Sequence, residues 1–147
     1  MSATVDANVL VYASDTASPH HERAREFVTA LSTGPGLIYL FWPTVMAYLR
    51  ITTHPRIFTT PLAPKEAMGN ITSLLDRPYI KAIGEESADF WQTYAFTSEG
   101  VWPRGNLIPD AHIVALMHQH GVSTIWTRDS DFRKFKGIEA KDPFAAS

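Results

Sequence analysis

The chain has 147 residues, 45% of them apolar and 19% charged, with a formal net charge of −2. That reads as one globular domain with length enough for a real core. Cysteine is absent, which excludes a disulfide scaffold, a zinc–thiolate site and a cysteine nucleophile; the mild negative charge argues weakly against a nucleic-acid partner, because acids clustered at a metal site would lower the total by themselves.

The first residues, Met-Ser-Ala-Thr-Val-Asp, hold no basic segment and no long apolar one, so no signal peptide is expected. The longest apolar run, residues 37–42, is far too short to span a membrane. A cytoplasmic protein is the expectation. Thr4, Val5 and Asp6 read as the end of a buried strand. Asn8 can cap a short helix carrying Val9, Leu10 and Ala13. Residues 20–31 predict a helix, with Ala24, Phe27, Val28 and Leu31 at helical spacing, stopped by Gly34-Pro35-Gly36. Residues 37–41 predict a second buried strand. Thr44 can cap the next helix, in which Val45, Tyr48, Leu49 and Thr52 share a face, and Pro55 ends it. Pro64 suits a first helical turn, and that helix runs to about Asp76.

Residues 79–83 predict a third strand and residues 85–96 an amphipathic helix anchored by Phe90, Trp91 and Tyr94. A loop at 98–105 leads to a strongly apolar helical pattern that starts with Asp110 and ends at Gly121. Residues 123–127 predict a strand; the tail from 135 to 147 is assigned no definite element beyond a candidate edge strand. Strands alternating with helices imply an α/β fold, a mostly parallel sheet flanked by helices on both faces, with no repeat and no second domain.

Four acids stand out. Asp6 follows the first strand, and Asp129 and Asp131 follow the last apolar one. Asp110, Ile113, Val114 and Met117 fall at i, i+3, i+4 and i+7, so the Asp110 carboxylate tops the buried face of its helix. Each acid has a plainer reading: Asp6 as an N-cap, Asp110 as a charge facing the helix dipole, Asp129 and Asp131 as turn formers. Their common placement at helix starts and strand ends favours a shared crevice. Carboxylates gathered there repel and need a proton or a cation, for which Mg²⁺ or Mn²⁺ is the hard, oxygen-liking candidate. Asp142, before Pro143, reads as a turn residue. His20, His21, His112, His118 and His120 have no zinc spacing, no glycine-rich phosphate loop is present, and Ser130 lacks a base to make it a nucleophile.

Four stretches together resemble a known family: Val-Asp-Ala-Asn-Val-Leu-Val-Tyr-Ala at 5–13, Tyr-Leu-Arg-Ile-Thr-Thr-His-Pro-Arg-Ile-Phe at 48–58, Gly-Asn-Leu-Ile-Pro-Asp-Ala-His-Ile-Val-Ala-Leu at 105–116, and Trp-Thr-Arg-Asp-Ser-Asp-Phe at 126–132. In this order they resemble PIN-domain ribonucleases of the VapC type, the toxin half of type II toxin–antitoxin pairs. The resemblance implies a PIN-like fold over residues 1–147 and a Mg²⁺-dependent endoribonuclease. It implies that Asp6, Asp110 and Asp129 hold the metal with Asp131 beside it, that Thr127 orients the loop and that Asn8 supports the first acid. Tyr48 stands where the family carries a glutamate, and a neutral phenol is a poor ligand for Mg²⁺. Arg50, Arg104 and Arg128 are the candidate phosphate-binding cations. Structured RNA (tRNA or rRNA), a VapB-type antitoxin and a homodimer are the implied partners, with no membrane. Two rivals stand beside this reading. A metal-dependent phosphohydrolase would need a second Asp where Asn8 stands, and a PIN fold that lost its glutamate could survive as a non-catalytic binding module.

Overall fold

In a computed structural model, which describes residues 2–145, the chain runs β1 (Ser2–Val5), α1 (Ala7–Ser14), α2 (His21–Ser32), β2 (Leu37–Phe41), α3 (Trp42–Thr52), α4 (Pro64–Leu75), β3 (Ile80–Ile83), α5 (Phe90–Ser98), α6 (Leu107–His120), β4 (Thr124–Trp126) and β5 (Glu139–Lys141). Short 3₁₀ turns occupy Ser87–Asp89 and Ser130–Lys134. Met1 and the last two residues of the tail lie outside the described part. The strands form one sheet in the order β3-β2-β1-β4-β5, and every neighbouring pair is parallel.

Buried strands explain the apolar runs. In β2, Ile38 and Leu40 enter a core with Val5, Val9, Leu10, Val45 and Ile71, beneath α1, α3 and α4. Phe41, one step along and on the opposite face, joins Ile125, Val114, Met117 and Phe132 beneath α6. A sheet covered on both faces must be apolar on both, so its strands lose the polar alternation of a half-exposed strand. Among the described residues no helix is long and apolar enough to cross a membrane.

Helix starts differ from expectation. Asp6 occupies the cap position of α1, while Asn8 sits exposed inside the first turn. Strand β2 passes straight into α3, so Thr44 is a buried helical residue and Phe41 the cap. Helix α6 begins at Leu107, three residues before Asp110, because Pro109 is tolerated in a first turn. Gly121 closes that helix as expected, at φ 67°. Residues 85–96 form a 3₁₀ turn and then α5, not one helix. The tail does supply an edge strand, β5.

Candidate metal centre

The strand order creates the site. From β1 the chain leaves towards β2 and β3; from β4 it leaves towards β5, on the other side. The two strands on either side of this reversal are adjacent, Ala3 opposite Thr124 and Val5 opposite Trp126. Their carboxyl ends therefore open one crevice, where ligands of open α/β sheets bind. Asp6 leaves β1 there, its N–H bonded to the Trp126 carbonyl at 2.9 Å. Thr127 and Asp129 leave β4 beside it.

Thr127 is the keystone of this corner. Its buried hydroxyl donates to Asp6 Oδ2 at 2.8 Å and accepts the Asp129 N–H at 2.9 Å. Asp129 Oδ1 in turn accepts the Asp131 N–H at 2.9 Å, which fixes the start of the 3₁₀ turn. Helix α6 brings Asp110 over the same point. Ligand oxygens of Asp110, Asp129 and Asp131 lie within 4.8 Å of one another. Asp6 is not one of that triple; it stands behind Thr127, close enough that its charge acts on Asp110.

The electrostatics record the crowding. Burial, then the charges of Asp129, Asp6 and Asp131, push the Asp110 carboxyl up to about 7, with Lys134 pulling weakly the other way. Burial also raises the Asp6 carboxyl, opposed by the Thr127 hydroxyl and reinforced by Asp129. The N–H groups of Ala7 and Asn8 favour its charged form, although no capping hydrogen bond to them is formed. This is a donor set of hard oxygens with too much negative charge for its surroundings, and a small divalent cation fits it.

Other expected residues fall elsewhere. Tyr48 does not reach the acids: its buried hydroxyl shares a 2.7 Å hydrogen bond with Ser14 Oγ and accepts from Asn70 Nδ2 at 3.0 Å. The Asn8 side chain makes no hydrogen bond to Asp6 among the described residues. Arg128 faces away from the acids towards the tail, donating to His20 Nε2 at 2.8 Å and lying 3.5 Å from Asp142 Oδ2 and 5.5 Å from the Phe144 ring centre. Arg50 and Arg104 are exposed, the first in the last turn of α3 and the second just before α6. Asp142 is a turn residue as read, accepting the Phe144 N–H. One cation escaped the sequence reading: Lys134, 3.0 Å from Asp131 Oδ1. Its spacing of three from Asp131 inside a short turn was the available signal.

Comparison with known proteins agrees with this geometry. Residues 3–138 match the PIN domain. Ribonuclease VapC48 of Mycobacterium tuberculosis is 50% identical over 145 residues, 99% of each chain. A VapBC2 structure from Rickettsia felis, bound to a DNA fragment from its promoter, superposes with a TM-score of 0.67 at 16% identity, over 96% of this chain and 98% of that one. M. tuberculosis VapC20, described as a sarcin–ricin loop cleaving toxin, gives 0.64 at 12% identity, over 93% and 98%. The match over residues 3–138, to a chain with acids at the switch point of a parallel sheet, makes this a PIN-domain nuclease. Within that class, the chain belongs to the VapC family of toxin endoribonucleases.

Proposed function

We propose that this ribonuclease is metal-dependent, that it holds Mg²⁺ (with Mn²⁺ as a substitute) on Asp110, Asp129 and Asp131, and that it cuts structured RNA such as tRNA or rRNA. The observation that carries the metal assignment is the convergence of those three carboxylates within 4.8 Å, with Asp110 held protonatable near neutral pH. A divalent ion bound there would neutralise the scissile phosphate and make an adjacent water a better nucleophile. The chain supplies the rest. Asp6 and Thr127 hold the Asp129 loop in position by two hydrogen bonds. Arg50 and Arg104 are exposed cations to steer the RNA backbone. The family chemistry leaves a 5′-phosphate and a 3′-hydroxyl.

The same reading includes a VapB-type antitoxin, action in the cytoplasm, and a homodimer. The solved VapBC2 neighbour supports the antitoxin. An apolar groove between α5 and the start of α6, lined by Phe90, Trp91, Tyr94, Trp102 and Ile108, supports the dimer. Trp91 and Trp102 are more than 70% exposed, and exposed aromatic rings are enriched at protein interfaces.

The test is cleavage of total cellular RNA by the purified chain in Mg²⁺, Mn²⁺ or EDTA. Cuts bearing 5′-phosphates should form only with metal and vanish in Asp110→Asn. Equal cutting in EDTA removes the metal from the reading. No cutting with any metal removes the cleavage assignment.

A further inference from the structure

We propose that Lys134 is the resident cation of the acid cluster: it neutralises Asp131 while the site lacks metal and, once a divalent ion takes that role, turns to a phosphate of the bound RNA. The proposal deepens the metal-dependent ribonuclease reading and rests on it.

Three observations carry it. First, Lys134 is placed by local geometry. In a 3₁₀ turn residues three apart eclipse each other, and the turn Ser130–Lys134 sets the ammonium 3.0 Å from Asp131 Oδ1. Second, no other cation among the described residues is ion-paired with the three clustered acids. Arg128, the nearest in sequence to Asp129, is taken up by His20, Asp142 and Phe144. Third, the pair is made to release. Both partners are about half exposed, Lys134 at 57% and Asp131 at 46%, so water screens the attraction and either partner can be replaced.

Where the ammonium turns next is set by its surroundings. The Lys134 side chain also walls a cleft of about 580 Å³ shared with Phe96, Glu99, His118 and Lys136. His118 is occupied as a pin, bonded to Thr97 Oγ1 at 2.8 Å and to the Lys136 carbonyl at 3.0 Å. The cleft thus joins a second lysine to an exposed aromatic ring, Phe96. Cations beside an exposed ring suit an unpaired RNA strand, phosphates on the lysines and a base on the ring. Lys134 stands at the boundary between the acids and that path.

A cation that competes with metal and assists RNA has an unusual signature: its removal moves the two affinities in opposite directions. Mn²⁺ affinity is read by titration calorimetry on the full chain without RNA. RNA affinity is read by anisotropy with a short single-stranded RNA of mixed sequence in Ca²⁺, checked on a gel to be uncut. Lys134→Ala should bind Mn²⁺ several-fold more tightly and RNA several-fold more weakly. The slope of log affinity against log salt should become shallower by about 0.7, the loss of one phosphate contact to a single strand. Lys134→Arg should restore the RNA affinity and the slope. If both affinities fall together, Lys134 only supports the turn and the proposal is overturned. An unchanged salt slope overturns it equally. Failure is separable from failure of the parent reading: wild-type chain that still binds and cuts RNA while Lys134→Ala behaves like it leaves the ribonuclease standing, whereas wild-type chain that neither binds this RNA nor cuts total cellular RNA with any metal removes both.

Discussion

At the scale of single residues the centre is held by charge that the fold does not balance. The Asp110 carboxyl is raised from 3.8 to about 7, first by burial and then by its acidic neighbours. Between those two values the native chain binds a proton that the unfolded chain has released. Stability of the metal-free protein therefore falls as pH rises from about 4 to 7 and is level above that, as far as this group is concerned. Asp110→Asn should remove the penalty. In EDTA at pH 8 it should stabilise the chain by about 1–2 kcal/mol, the full linkage value being discounted for screening at a half-exposed group, and the gain should shrink towards pH 4. Thermal melts of both proteins across that range check it, and a variant less stable than wild type at pH 8 would refute it. The same variant should be inactive: the residue is kept for its chemistry at a cost in stability. Thr127 behaves oppositely. Thr127→Val keeps the shape but strips a buried bridge, leaving the Asp129 N–H and the Asp6 carboxylate without their partner. The expected loss is about 1–3 kcal/mol in urea denaturation, together with weaker Mn²⁺ binding by calorimetry.

At the scale of elements, Tyr48 joins three helices. It projects from α3 to Ser14 at the end of α1 and Asn70 in α4. Tyr48→Phe should cost about 1 kcal/mol of stability and leave Mn²⁺ affinity unchanged; a several-fold change in that affinity would return Tyr48 to the centre. Its inward direction was readable from helical spacing, since Val45, Tyr48 and Thr52 are all buried. Which of two buried places it entered was not, because spacing along one helix says nothing about the neighbour that covers it. Strand β2 was legible for a physical reason: packed on both faces, it is an unbroken apolar run, Leu37–Phe41, that starts just after Gly36. Strands β1 and β4 are shorter and carry Ser and Thr, and were legible from Val5 and Ile125 with the acids that follow them. The tail was readable as a candidate edge strand but not where β5 falls in it, since an edge strand with Glu139 and Lys141 exposed carries no apolar run. The caps at Asn8 and Thr44 were misplaced because strand passes into helix there without a loop, and the residue leaving the strand takes the cap position whatever its side chain. Arg128 stands next to Asp129 in sequence, yet the chain turns it towards His20, Asp142 and Phe144, a direction that sequence adjacency does not reveal.

At the scale of the whole molecule, the acids and the aromatic groove belong to different surfaces joined by α6. Asp110 faces the sheet end, while Ile108 and His112, four apart, line the groove against α5. A dimer formed there can thus leave the acids open to RNA. Light scattering should find the wild-type chain as a dimer at micromolar concentration. Trp91→Glu should be a monomer with an unchanged circular dichroism spectrum, because the side chain it replaces is largely exposed. A wild-type monomer under the same conditions would remove the dimer from the reading.

The pairing of β1 with β4 has a consequence for the chain while it is being made. Asp6 and the Thr127 hydroxyl that holds it are 121 positions apart. Contacts of such separation form late, after most of the intervening chain has been ordered, and during synthesis they must wait until Thr127 has left the ribosome. A nascent chain carries Asp6 from the beginning yet has no Asp129 or Asp131 to complete its centre. The centre is complete only once residues 127–131 have emerged. Until then the polypeptide is latent, and an inhibitor already folded nearby has that interval in which to meet it.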